Sequence, residues 1–205
     1  MMNNGQSIDT RLGMLANCKG AIQHGELGGK VSVVLDQHFR DLMAGVCAPV
    51  AIVTTSDDDG PHGATVSSLA SVSLRPPLVS IALDRSSALL ARILDSRRFG
   101  VNVLGRTQDD LAVVFARRGV DRFHKVHWSM VDGLPRLDGA VGWAACDVHQ
   151  ALEAGDHVLL IGLVRNAASS TQPPLIYGHR IFGTHSQFHQ RPRKPITDQI
   201  AACSR

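Results

Sequence analysis

Aromatic residues are scarce in this chain: six Phe, two Trp and one Tyr make up 4% of 205 residues. Single-stranded nucleic-acid binding draws on aromatic platforms within a basic groove, and here Lys and Arg are scattered without a stripe, so no nucleic-acid partner is expected. The net charge is only +3 with a pI near 8.9, a mild excess that suits small anionic ligands such as phosphates. Cysteines are few and unpaired in sequence. Cys18, Cys47, Cys146 and Cys203 lie far apart with no C-x-x-C, which argues against a zinc centre and against a disulfide scaffold. Long apolar runs are missing as well. The longest fall well short of the ~20 residues of a membrane helix, and the first twenty residues contain no continuous apolar stretch of a secretion signal. A reduced, cytoplasmic protein without membrane contact is the expectation. Neither G-x-G-x-x-G after a strand nor G-x-x-x-x-G-K-[ST] occurs, so the sequence supports neither a Rossmann domain nor a P-loop.

What is present is enough for one folded domain, with 44% hydrophobic residues over a length that buries a sizeable core. Residues 1–30 read as a mobile leader, 31–186 as the domain, and 187–205, with HQRPRKP, as a basic proline-interrupted tail. Asp36 is placed as an N-cap before Phe39, Leu42, Met43 and Val46, one apolar helix face that Pro49 ends. Val50–Thr55 and His62–Val66 flank the turn SDDDG and predict a hairpin, with Asp57, Asp58 and Asp59 as a solvated loop rather than a metal site.

Pro61–Asp84 organises the chain. Val66, Leu69, Val72 and Leu74 interleave with the small hydroxyl residues Thr65, Ser67, Ser68, Ser71 and Ser73. A backbone so lightly clad approaches a planar ligand closely while hydroxyls donate to it. Pro76-Pro77 is expected to form an extended, donor-free link before the strand LVSIAL. Ser86 or Ser87 then opens a helix whose buried face is Leu89, Leu90, Ile93 and Leu94. On the residues alone these serines are either ordinary N-caps or the seat of an anion.

Farther on, FGVNVL (Phe99–Leu104) alternates as a strand, and its one polar side chain, Asn102, requires a partner. Thr107 and Asp110 resemble a capping box before Leu111, Val114 and Phe115, with Arg117, Arg118 and Gly119 at the helix end. Residues 121–139 read as an irregular connection. His124-x-x-His127 lacks a third ligand at a recognisable spacing, so no metal is expected. Phe123, Lys125 and Trp128 are candidates for the edge of a pocket, with a core role for Trp128 equally open. Val141–Leu152 and His157–Ala167 form a second hairpin, and Leu175–Gly183 the last strand or strand pair. The expected fold class is mainly β with added helices.

Five motifs in order, VAIVTT, GATVSSLASVSLRPPLVSIAL, FGVNVL, GDHVLLIG and PLIYGHRIFG, cover about Asp36–Gly183, and in them the chain resembles the flavin reductase family. The resemblance implies an FMN-binding split β-barrel, a Greek-key antiparallel barrel. It implies NAD(P)H:flavin oxidoreductase activity that passes hydride from NADH or NADPH to FMN or FAD and supplies reduced flavin to a separate monooxygenase. It also implies a homodimer. Carried over residue by residue, Pro61, His62, Gly63, Ala64, Thr65, Ser67 and Ser68 line the isoalloxazine and ribityl chain. Ala82, Leu83 and Asp84 lie beneath the ring, Ser86 and Ser87 hold the phosphate, and Asn102 joins the cofactor-contacting set. His157 and Tyr177 are the nicotinamide-side candidates, although a turn-capping histidine and a barrel-end tyrosine are open readings of the same residues. Asp84 beside a phosphate requires an offsetting cation, expected from Arg85 or Arg92. The competing functions are a non-enzymatic flavin carrier and an oxidase of the pyridoxamine-phosphate type.

Overall fold

The structure, a computed structural model, describes residues 29–184, with side chains from residue 35. The expected leader, but for its last two residues, and the basic tail lie outside the described residues. The chain divides into an N-terminal unit ending at Arg40 and a body from Asp41. The elements run α1 (Gly29–Ala44), β1 (Ala48–Pro49), β2 (Ala51–Asp57), β3 (Gly60–Val66), β4 (Ala70–Leu74), β5 (Pro77–Asp84), α2 (Ala88–Ser96), β6 (Arg98–Val103), α3 (Asp109–Ala116), β7 (Trp128–Val131), β8 (Leu134–Leu137), β9 (Gly142–Ala154), β10 (His157–Ser169), β11 (Leu175–Gly178) and β12 (Ile181–Thr184). Among the described residues no helix is long and apolar enough to cross a membrane.

Seven antiparallel strands form the main sheet in the order β3-β2-β6-β9-β10-β5-β4, and β1-β11-β12 and β7-β8 make two smaller sheets. The outermost strands, β3 and β4, follow each other in the chain with only residues 67–69 between them. Four Cα steps span at most about 14 Å, so the two margins must be brought near each other and the sheet must curl. The curl stops short of closure. Across the remaining seam, Ser68 Oγ donates to Ala82 O at 3.1 Å and accepts from Ala82 N at 2.9 Å, tying the end of β3 to β5. The body is thus a mainly β split barrel, open along one side.

Strand periodicity explains the two larger of the three buried clusters. In β2, Ala51 and Val53 face a cluster with Phe99, Val101, Ile81 and Leu160, while Ile52, with Val50 just before the strand, faces one with Leu104, Ala112, Phe115 and Leu175. Both faces of the strand are covered, so it reads as an unbroken apolar run. Helix α2 fills the barrel interior with Leu89, Leu90 and Ile93, and α3 covers the other face. Gly162 admits a tight contact at a bulge of β10: a Cβ there would lie 2.4 Å from Phe99 Cζ.

Local expectations needed correction in five places. The α1 backbone is helical from Gly29, so Asp36 lies inside the helix rather than capping it. That helix ends at Ala44, before Gly45, and Pro49 belongs to β1. Arg75-Pro76 is a two-residue turn between Leu74 and its cross-strand partner Pro77, not an extended link. Gln108, not Thr107, occupies the N-cap of α3, its Oε1 accepting from Gly105 N at 2.8 Å. Residues 121–139 contain the hairpin β7-β8, turned at Asp132-Gly133, where both φ angles are positive.

Candidate active site

A groove of about 730 Å³ opens where the barrel seam meets the start of α2. Its floor is Ala64–Ser68 from β3 and the following turn, one wall is Ala82–Asp84 from β5, and Ser86–Leu89 close one end. His157, the first residue of β10, reaches it because it pairs with Asp84 across the ladder. Thr65, Ser67, Ser68, Ala64, Ala82, Leu83, Asp84, Ser86, Ser87 and His157, all singled out in the sequence, are therefore brought together. Pro61, His62 and Gly63 continue along β3 into an adjoining lobe of about 550 Å³. The two lobes share Ala88, Leu89, Val120 and Arg122.

Two residues lie elsewhere. Asn102 is fully buried, and its side chain is occupied by the fold: Nδ2 faces Ile52 O, Thr54 Oγ1 and Pro135 O at 3.3 Å each, and Oδ1 accepts from Leu137 N at 2.8 Å. It lines neither lobe. Tyr177 packs against Phe182 with ring centroids 5.3 Å apart and planes tilted by 55° in the small sheet, and lines neither lobe either.

The hydroxyls are less available than their number suggests. Thr65 Oγ1 donates its one proton to Ala112 O at 2.7 Å, docking β3 on α3, and Ser68 is engaged across the seam. Ser86 donates from Oγ and from N to Asp84 Oδ1, at 2.6 and 2.7 Å. These bonds, first of all the hydroxyl's, hold the Asp84 carboxyl below its ordinary range, with Arg118 and His157 adding positive field. Asp84 thus builds the turn that presents α2. Ser87 is the N-cap residue, extended in backbone and without a side-chain cap bond, and the hydroxyl of Ser67 has no partner among the described residues. With the N–H groups of the first turn of α2, these are donors directed at the groove. Small side chains along a flat wall, open donors at one end and a nearby guanidinium fit a planar ligand that carries a phosphate.

The cations come from an unexpected source. Arg85 pairs with Glu153 at 2.6 Å, and Arg92 is bound to Asp57 and Asp59, so neither offsets Asp84. The offset comes from Arg118 on the segment after α3. Arg122, on the same segment, donates from Nη1 to Gly63 O at 2.6 Å and from Nε to Arg117 O at 2.9 Å. Burial lowers its pKa from the usual guanidinium value. This arginine pins the segment over β3 at the boundary of the two lobes. Both arginines were read in the sequence only as helix-end charges or not at all; Arg118-Gly119, a cation beside a residue with positive φ, was the available signal.

The second lobe is built around an ion cluster and an aromatic ladder. His62 Nε2 lies 2.8 Å from Asp57 Oδ1. Burial works against ionisation of Asp57, yet hydrogen bonds from His62 and Arg92 bring its pKa down. Phe115 meets Phe123 edge-on at 5.0 Å, and Phe123 meets Trp128 at 5.7 Å. Of the three pocket-edge candidates read in the sequence, Phe123 and Trp128 line this lobe, Trp128 also packing on the core, and Lys125 lines neither lobe. Among the described residues no group of three or more His, Cys, Asp or Glu is placed to hold a metal ion.

Residues 43–186 match the model of the flavin reductase like domain. The reductase component of a flavin-dependent trigonelline monooxygenase from Acinetobacter baylyi is 34% identical over 168 residues, 81% of this chain and 52% of that protein. A flavin reductase of Pseudomonas putida is 36% identical over 151 residues, covering 73% of this chain and 89% of its own. The crystal structure of nitrilotriacetate monooxygenase component B from Mycobacterium thermoresistibile superposes with a TM-score of 0.75 at 28% identity, covering 80% of this chain and 93% of that one. The chain spans about half the length of the first of these curated relatives.

Proposed function

The chain belongs to the flavin reductase-like family, and from that membership we propose that it is an NAD(P)H:flavin oxidoreductase, passing hydride from NADH or NADPH to FMN or FAD. One observation carries the reading: the groove unites the hydroxyl-rich end of β3, the β5 wall and the N-terminus of α2 with His157 at its rim. A flavin held there supplies the hydride acceptor, so the protein needs neither nucleophile nor strong general base. The small residues of β3 and β5 let a flat ring lie against the backbone. Ser67, Ser87 and the first-turn N–H groups of α2 hold its phosphate end, with Arg118 balancing the charge of Asp84. His157, fixed through Nδ1 by Asp156 Oδ1 at 2.7 Å, presents its other ring nitrogen as a hydrogen-bonding group for a nicotinamide carboxamide. The protein's task is to hold the two rings at a reacting distance of about 3 to 3.5 Å.

The reading includes delivery of reduced flavin to a separate monooxygenase component, supported by the naming of one relative as such a reductase component. It includes a homodimer, supported by Val72 and Leu74, 51% and 84% exposed on the edge strand β4. It takes residues 31–186 as the working domain and the cytoplasm as its compartment, supported there by the free thiols of Cys47 and Cys146. The experiment is steady-state oxidation of NADH and of NADPH with FMN, FAD or riboflavin added. Flavin-dependent turnover with at least one nucleotide is expected. Absence of turnover in all six combinations refutes the proposal, and flavin retained without hydride transfer identifies a carrier instead.

A further inference from the structure

We propose that the second lobe is an adenosine subsite, so that the flavin this protein prefers is the dinucleotide FAD, laid out across both lobes rather than folded on itself. The inference rests on the flavin-binding reading of the first lobe.

Continuity is the first support. The start of α2, where a flavin phosphate docks, borders both lobes through Ala88 and Leu89. A ligand leaving the first lobe past that phosphate enters the second directly. Arg122 stands at the same boundary with its guanidinium immobilised on Gly63 O and Arg117 O, a fixed positive charge where a diphosphate passes.

Surface chemistry is the second. Of nine aromatic residues in the chain, Phe123 and Trp128 border this lobe, and the imidazole of His62 is oriented by Asp57. Planar faces of this kind stack a purine without regard to its hydrogen-bonding edge. The polar complement also fits a nucleoside. Arg92 is held by Asp57 and Asp59, while Asp59 Oδ1 and Asp121 Oδ2 carry no hydrogen bond among the described residues. Carboxylate oxygens accept from an exocyclic amine and from ribose hydroxyls, and they repel an additional phosphate. The lobe therefore selects an adenosine whose ribose 2′- and 3′-hydroxyls are free, the 5′-diphosphate lying at the Arg122 boundary. Its volume of about 550 Å³ lies within the ~300–1,000 Å³ of small-molecule pockets.

The test is equilibrium titration of the full-length protein with FMN and with FAD, with no nicotinamide nucleotide present, followed by flavin fluorescence. FAD is expected to bind about tenfold or more tightly than FMN, and Trp128→Ala to lower the ratio of FAD to FMN affinity by about tenfold, within the range a base stacked on an aromatic contributes. Competition on the unmodified protein removes any dependence on the folding of that variant: adenosine 5′-monophosphate should displace FAD and leave riboflavin bound. Equal affinities for FMN and FAD, or displacement of riboflavin as readily as FAD, overturns the proposal. A variant that raises the KM for NADH while leaving FAD affinity unchanged also overturns it, assigning the lobe to the nicotinamide nucleotide. If neither flavin binds at all, the reading of the first lobe fails instead, so the two failures are distinguishable.

Discussion

Replacing Asn102 separates a structural role from a cofactor role. The side chain is 0% exposed and its Oδ1 is the acceptor for Leu137 N, in a residue that is itself 1% exposed. In Asn102→Ala that N–H has no replacement partner, and an orphaned buried donor costs ~1–3 kcal/mol. Ile52 O loses a donor as well, whereas Pro135 O keeps the 2.7 Å bond from Thr54 Oγ1. With the small void left behind, the total is about 3 kcal/mol. A urea m-value of about 2 kcal/mol/M converts this to a midpoint lower by roughly 1.5 M. The assay is urea unfolding of both proteins at neutral pH, paired with flavin titration of the folded variant. The reasoning predicts a large midpoint shift with flavin affinity changed by less than about twofold. A midpoint within about 0.3 M of the parent, together with flavin affinity reduced tenfold, would refute it and restore Asn102 to the cofactor.

Further outcomes follow from the same bonds and contacts. The Asp84 carboxyl is held below its ordinary value, so its contribution is present above the unfolded-state pKa of about 4 and is lost as pH falls through the lower folded value. Asp84→Asn should consequently lower the urea midpoint at pH 6, with the gap to the parent narrowing as pH falls below about 4; a gap that stays constant as the pH is lowered contradicts the assignment. Gly162→Ala forces a Cβ to within 2.4 Å of Phe99 Cζ, an atom at the centre of the barrel core, and a loss of roughly 1–3 kcal/mol is expected by chemical denaturation. Burial pushes the Cys146 thiol up to about 12, while Cys47 is exposed. Iodoacetamide at pH 8 followed by peptide mapping should mark Cys47 and leave Cys146 unmodified in the native protein.

Much of this arrangement was legible in the residues. The β-rich run VAIVTT, the apolar spacing of Leu89, Leu90 and Ile93, and the hydroxyl-rich run after Pro61 all depend on local composition and periodicity, which sequence displays directly. What escaped was set by tertiary register. Whether Thr65 offers its proton to a ligand or to Ala112 depends on where α3 lands 47 positions later, and Ser68 meets Ala82 only because the sheet curls. Arg122 looks like any surface arginine until the segment after α3 folds back 59 residues to Gly63. The β7-β8 hairpin is different, because its Asp-Gly turn was present in the sequence and obscured by the histidine-rich residues before it and the proline within it.

The open seam has a thermodynamic consequence. A ligand seated between the end of β3 and β5 touches both sides of the seam at once, so its binding free energy is also a free energy of holding the curl in place. Occupancy and resistance to unfolding then rise together by mass action, by about 2.7 kcal/mol at a ligand concentration one hundred times its dissociation constant. The melting temperature of this protein should therefore report, flavin by flavin, how well each one bridges the gap.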